Sequence, residues 1–127
     1  MITGMSSVDA LESDHPYFVG RSGGTGTRPG NFALQNSDVL LSIGNRQGFA
    51  QTGFQYQDWA RESYTILNDI DENELKKPNL HVSLPVVGDA GELIRGLLAE
   101  AKKRGADKEY PLFKGEDWRK QCLLWKK

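Results

Sequence analysis

The stretch Gly20–Arg46, GRSGGTGTRPGNFALQNSDVLLSIGNR, constrains the fold of this chain more than any other. It opens with glycines at 20, 23, 24 and 26, a spacing that lets backbone lie close against a ligand or a neighbouring segment. Pro29 has the backbone angle of a first helical turn and lacks an N–H that would go unpaired there. The spacing predicts a short helix over 31–36, with Phe32, Gln35 and Asn36 on neighbouring faces. Asp38 then leads into Val39-Leu40-Leu41-Ser42-Ile43, an almost unbroken apolar run ended by Gly44. Such a run suits a parallel strand covered on both faces. In open α/β sheets ligands sit beyond the carboxyl ends of the strands, which here means Gly44-Asn45-Arg46.

The rest of the chain extends that pattern. Met1–Gly4 reads as part of a strand, and Tyr64-Thr65-Ile66-Leu67 as another that continues into Asn68-Asp69. An acidic residue at the end of such a strand, here Asp69, is placed to bond a ribose hydroxyl, or it terminates the strand. Asp71 caps a short helix at Glu72–Leu75, and Pro78 forces a turn. A last strand is expected over Leu80–Val87, and Trp59-Ala60-Arg61 is expected to make one helical turn. Asp89 and Glu92 form a capping box for the longest helix, which Gly105 stops after Lys102-Lys103-Arg104. Leu93, Ile94, Leu97, Leu98 and Ala101 supply one apolar stripe for the sheet. The fold class is therefore α/β, a mostly parallel sheet of about four strands flanked by helices.

Charge and composition narrow the function classes. A net charge of −1 makes no electrostatic case for nucleic acid or an anionic membrane. The charge is uneven, with −5 over residues 1–99 and +4 over 100–127. One cysteine, Cys122, excludes an intrachain disulfide framework and fits a reducing compartment; with neither signal peptide nor membrane span, the expected location is cytoplasmic. Phosphate-loop, nucleophile-elbow and Cys/His metal motifs are absent. His15 and His81 read as a loop and a structural histidine. Gly20-x-x-Gly23-x-x-Gly26 is not the dinucleotide fingerprint, yet its N–H groups could cradle a diphosphate with Arg21 and Arg28 alongside, or form a plain turn between solvated charges.

GTGTRPGNFALQNSDVLLSIGNR, followed at a distance by ILNDIDENELKKP, resembles the central domain of thiamine-diphosphate-dependent enzymes of the acetolactate synthase type, over about Met1 to Leu98. The resemblance implies a Rossmann-like sheet with further strands upstream. Residues 1–105 are then a partial central domain, and 106–127 begin a connection to a cofactor-diphosphate domain. The parent enzyme, acting on pyruvate-like 2-oxo acids, is expected to hold thiamine diphosphate and Mg2+ in other domains. Its pyrimidine-binding and diphosphate-binding domains are expected partners, and an open sheet edge predicts a homo-oligomer.

Site residues carry over from the resemblance one by one. Glycines with the spacing of Gly23 and Gly26 lie in the loop that passes FAD in acetolactate synthases. Gly44, Arg46, Thr52 and Gly53 match the family's Gly-x-Arg-Phe-Asp-Asp-Arg-Val-Thr-Gly, while Gly48, Phe49 and Ala50 replace Asp-Asp-Arg, groups that help hold the flavin. Asp69 matches the ribose-binding position. Gly88-Asp89-Ala90 lacks the second glycine of the Gly-Asp-Gly that holds magnesium and the diphosphate. The candidate cofactor-binding residues are Gly23, Gly26, Gly44, Arg46, Asp69 and Asp89; no catalytic residue and no metal ligand is expected. The expected role is a non-catalytic scaffold with a degenerate nucleotide site for FAD or ADP. The alternatives are a free-standing nucleotide-binding module, or an interaction module. In the last, Trp118, Leu123, Leu124 and Trp125 form an amphipathic helix that docks on a neighbour or folds back onto this domain's own sheet.

Overall fold

A computed structural model describes residues 1–105 and 116–127, so the first part of the connection expected over 106–127 lies outside the described residues. Among the described residues five strands form two parallel sheets. β1 (Ile2–Thr3) pairs with β2 (Gly20–Arg21); β3 (Val39–Ile43), β4 (Tyr64–Asp69) and β5 (Leu84–Val87) pair in that order. The helices are α1 (Arg28–Gln35), α2 (Phe49–Thr52), α3 (Glu72–Leu75), α4 (Ala90–Lys103) and α5 (Glu116–Lys126). The strand–helix–strand unit β2–α1–β3 links the two sheets, the connection a parallel arrangement requires. The expected α/β class is the one observed, but β3 is not covered on both faces as its apolar run suggested: Val39 and Leu41 are exposed, because the described helices pack on the other side.

Local chemistry explains where elements begin. α1 starts three residues earlier than expected because Thr27 caps it, its hydroxyl accepting from Gly30 N at 3.3 Å and Arg21 N at 3.1 Å. One side chain thus fixes both β2 and the helix start. β5 starts at Leu84 rather than Leu80. Residues 80–83 turn Leu80 into the core, where Thr65 Oγ1 donates to the His81 carbonyl at 2.7 Å and accepts from Ser83 N at 3.1 Å. The helical turn expected at 59–61 lies instead at Tyr56–Asp58, and Ala60 takes φ 46° so that it and Trp59 drop into the core. α3 and α4 carry their expected caps, Asp71 accepting from Asn73 N and Asp89 from Glu92 N, each at 2.9 Å.

The main core lies on one face of the three-stranded sheet. Leu34 from α1, Trp59, Ala60, Leu67, Leu75 and Leu80 form one buried cluster. Each large apolar side chain buried there contributes about 2 kcal/mol. A second cluster, Val19, Ala33 and Cys122, forms where α5 folds back onto α1. Trp125 meets Phe32 edge-on at 5.7 Å and Trp118 at 5.5 Å. Lys126 Nζ donates to the carbonyls of Ser13 at 2.6 Å and Phe18 at 3.1 Å. The tail folds back, but onto the helix α1 rather than onto the sheet as the second placement had it.

Among the described residues the α4 stripe and one groove are apolar and open. The stripe of α4 was expected on the sheet, yet no residue of α4 is buried, and Ile94, Leu97 and Leu98 face water. The caps of α4 set its ends without fixing which neighbour its stripe meets. An apolar groove of about 310 Å³ separates β1 from β3, lined by Ile2, Val39, Leu40 and Leu41 and by Trp118 and Cys122 of α5.

Candidate functional site

Four of the six candidate residues share one rim, at the carboxyl ends of the three-stranded sheet. β3 ends at Gly44, whose φ of 58° turns the chain sharply; a Cβ there would lie 3.2 Å from that of Ala90. β4 ends at Asp69, whose carbonyl accepts from Gly88 N at 3.0 Å, bringing the start of α4 beside it. Arg46 follows Gly44 and reaches α3, where its Nε lies 2.9 Å from Glu74 Oε1. The other oxygen of Glu74 pairs with Lys77, which also donates to the Arg46 carbonyl at 3.1 Å. Because the Arg46 side chain is 76% exposed, that pair adds less than about 1 kcal/mol; it fixes the rim in place.

Gly23 and Gly26 lie in the loop between β2 and α1, which docks on α2. The loop's N–H groups are engaged inside the chain: Gly23 to Asn31 Oδ1 at 2.8 Å, Gly24 to the Ala50 carbonyl at 3.0 Å, Gly26 to the Gly23 carbonyl at 2.9 Å. Asn31 Nδ2 closes the ring by donating to the Gly23 carbonyl at 3.1 Å. At Gly23, φ is 101° and a Cβ would stand 2.3 Å from the Ala50 carbonyl oxygen. The glycine is needed for close packing on α2. Arg28 lies over the Phe32 ring at 4.9 Å, and His15 Nδ1 accepts from Tyr17 N at 3.2 Å.

The acidic candidates are also engaged. Asp69 Oδ1 accepts from Asp71 N at 3.0 Å, holding the turn into α3. Asp89 is committed to the Glu92 N–H. A carboxylate spent as a cap, without the following glycine, does not fit a magnesium–diphosphate holder. Among the described residues no three metal-ligating side chains cluster. Burial pushes the Cys122 thiol up, the nearby Met1 ammonium opposing it in part, so the sulfur stays protonated and packs as a small apolar group.

Four residues around the rim were not singled out from the sequence. Glu74 and Lys77 form the ion cluster with Arg46, and their charges inside the motif of α3 were the available signal. Asn68 is buried between strands, donating to the carbonyls of Val86 at 3.0 Å and Gly88 at 2.9 Å. Gln47 takes φ 50° and donates to Ser42 Oγ at 2.8 Å. Nothing in the sequence pattern marks Asn68 or Gln47.

A parallel sheet with its loops gathered at the carboxyl rim defines the nucleotide-fold class of α/β domains. Residues 1–97 match the family described as thiamine pyrophosphate enzyme, central domain, and the chain belongs to that family. It is 37% identical over 90 residues to a probable acetolactate synthase large subunit of Methanococcus aeolicus, covering 71% of this chain and 15% of the relative. A protein of the same description from Methanocaldococcus jannaschii is 41% identical over 86 residues, 68% of this chain and 14% of the relative. A sulfoacetaldehyde acetyltransferase of Rhodobacter capsulatus is 30% identical over 111 residues, 84% of this chain and 18% of the relative. The chain thus spans less than a fifth of the curated relatives it matches.

Proposed function

We propose that this chain serves as a structural central domain of a larger thiamine-diphosphate-dependent enzyme related to acetolactate synthases. In that reading the parent joins or decarboxylates pyruvate-like 2-oxo acids, and the pyrimidine-binding and diphosphate-binding domains hold thiamine diphosphate and Mg2+. Residues 1–105 form the domain, and 106–127 lead toward the next one. The rim of β3–β5 is a degenerate nucleotide site that binds neither FAD nor ADP.

One observation carries this reading: the polar groups of the candidate residues already have partners in the chain. The loop N–H groups at Gly23 and Gly26 bond Asn31 and Gly23, Arg46 bonds Glu74, Asp69 bonds Asp71, and Asp89 bonds Glu92. A diphosphate or ribose would compete with these partners for the loop N–H groups and for one nitrogen or oxygen of each side chain. The replacement of Asp-Asp-Arg by Gly48, Phe49 and Ala50 removes further polar contacts.

A thermal melt of the chain with about 1 mM ADP, FAD or NAD tests it, since a ligand at one hundred times its dissociation constant adds about 2.7 kcal/mol to stability. The expected result is an unchanged midpoint with all three. A saturable upward shift would overturn the degenerate-site reading and favour a working nucleotide module.

A further inference from the structure

In a parallel ladder alternate residues bond one neighbour, so a strand paired on one side turns the backbone groups of the intervening residues to the other. Along β3 the Asp38 carbonyl accepts from Tyr64 N at 2.8 Å, and Gly44 N donates to the Asn68 carbonyl at 3.1 Å. Asp38, Leu40, Ser42 and Gly44 therefore serve β4. The N–H and C=O groups of Leu41 and Ile43, with the Val39 carbonyl, point the other way. Along β1 the Met1 and Thr3 carbonyls accept from Val19 N at 2.9 Å and Ser22 N at 3.2 Å, which turns both backbone groups of Ile2 away from β2. Among the described residues none of these outward groups has a hydrogen-bond partner. Both edges border the apolar groove, which Ile2, Val39 and Leu41 line together with Ala33 of α1 and Trp118 and Cys122 of α5. The two strands also end side by side, since a Cβ on Gly4 would stand 3.3 Å from Asn45 Nδ2.

We propose that this groove is a strand-accepting site, which takes an uncharged extended segment of a partner polypeptide, inserted parallel to β1 and β3 and between them. The unpaired groups on its two edges specify the occupant. A small apolar molecule would leave them unpaired, and a helix has none to offer because its own are bonded internally. An extended chain bonds β1 through one set of alternate residues and β3 through the other. In strand addition such main-chain bonds supply affinity, and the surroundings of alternate side chains set specificity. Here those surroundings are apolar, so a charged residue in the segment would be buried without a partner. The insertion joins the two-stranded and three-stranded sheets into one, and a segment as long as β3, 5 residues, spans the edge. Strand capture does not depend on the degenerate nucleotide site. A chain that ignores the peptide would leave that reading standing, and a nucleotide-induced shift would leave strand capture standing.

The probe is a synthetic peptide, Val-Thr-Val-Ile-Val flanked by lysines for solubility, added to the 127-residue chain while amide hydrogen exchange is followed by NMR. In the free chain the amides of Leu41 and Ile43 are expected to exchange faster than those of Leu40 and Ser42, which β4 holds. Saturating peptide is expected to slow Leu41 and Ile43 by about tenfold or more. The same peptide N-methylated at alternate residues keeps its side chains but loses the donors for one edge, and is expected to bind about tenfold more weakly or worse. Leu41→Pro removes an N–H that β4 does not use, at an edge position where proline is tolerated, so it is expected to keep a cooperative melt and lose the peptide. Should that variant fail to fold, exchange in the parent chain still decides. Absence of saturable binding up to about 1 mM peptide overturns the proposal. So does binding that leaves Leu41 and Ile43 unprotected, which would place the contact at another surface, such as the α4 stripe. A free chain in which both amides are already slow also overturns it, because its groove is then filled from within.

Discussion

At the scale of single residues, glycine positions separate into those that packing requires and those it does not. Gly23 combines φ 101° with a carbonyl oxygen 2.3 Å from the site of a Cβ, while a Cβ on Gly24 would meet nothing within 4 Å. Gly23→Ala is expected to destabilise the chain by about 2–4 kcal/mol, and Gly24→Ala to change it by less than about 0.5 kcal/mol. Urea denaturation midpoints of the two variants check the contrast. The glycine spacing was legible in the sequence, but its two uses, holding a ligand and holding α2, leave the same letters. Only the partners of the N–H groups tell them apart. Asp89 shows the same limit: its capping role was legible from Glu92 three residues on, because a cap is a local interaction. The pairing of Arg46 with Glu74 was not, because it joins residues 28 apart in sequence through the fold.

At the scale of elements, the signals that proved readable were likewise local. The apolar run of β3 and the caps of α3 and α4 lie within a few residues of what they determine. The placement of α4 and α5 depends on surfaces built by distant segments, which is why α4 was expected on the sheet and the tail was left with two destinations. α5 offers a direct check of its packing, because Cys122 is 4% exposed beneath it. Trp125→Ala removes the edge-on contacts with Phe32 and Trp118 and is expected to loosen α5 without unfolding the sheet. Alkylation of Cys122 by iodoacetamide at neutral pH should then be faster by about tenfold or more, because local opening governs access to a buried group. An unchanged rate would mean that α5 is held by its other contacts.

At the scale of the whole molecule, the buried thiol makes stability depend on pH in one direction. Burial holds the folded Cys122 thiol above its ordinary value of 9.0, so above that pH the unfolded chain releases a proton that the folded chain retains. The contribution is complete below the unfolded value and is lost as pH rises toward the folded one. The urea midpoint is therefore expected to fall as pH rises above 9.0, by less in Cys122→Ala than in the parent chain; equal slopes would place the pH dependence elsewhere. The contact of Lys126 with the Phe18 carbonyl has a consequence in time as well as in space. Those residues are 108 apart in sequence, and α5 supplies Cys122 to the cluster that roofs Val19. During synthesis β1 and β2 leave the ribosome well before their apolar cover in α5 is translated. The β1–β2 pair thus waits uncovered over that interval, which opens it to chaperones and to premature association.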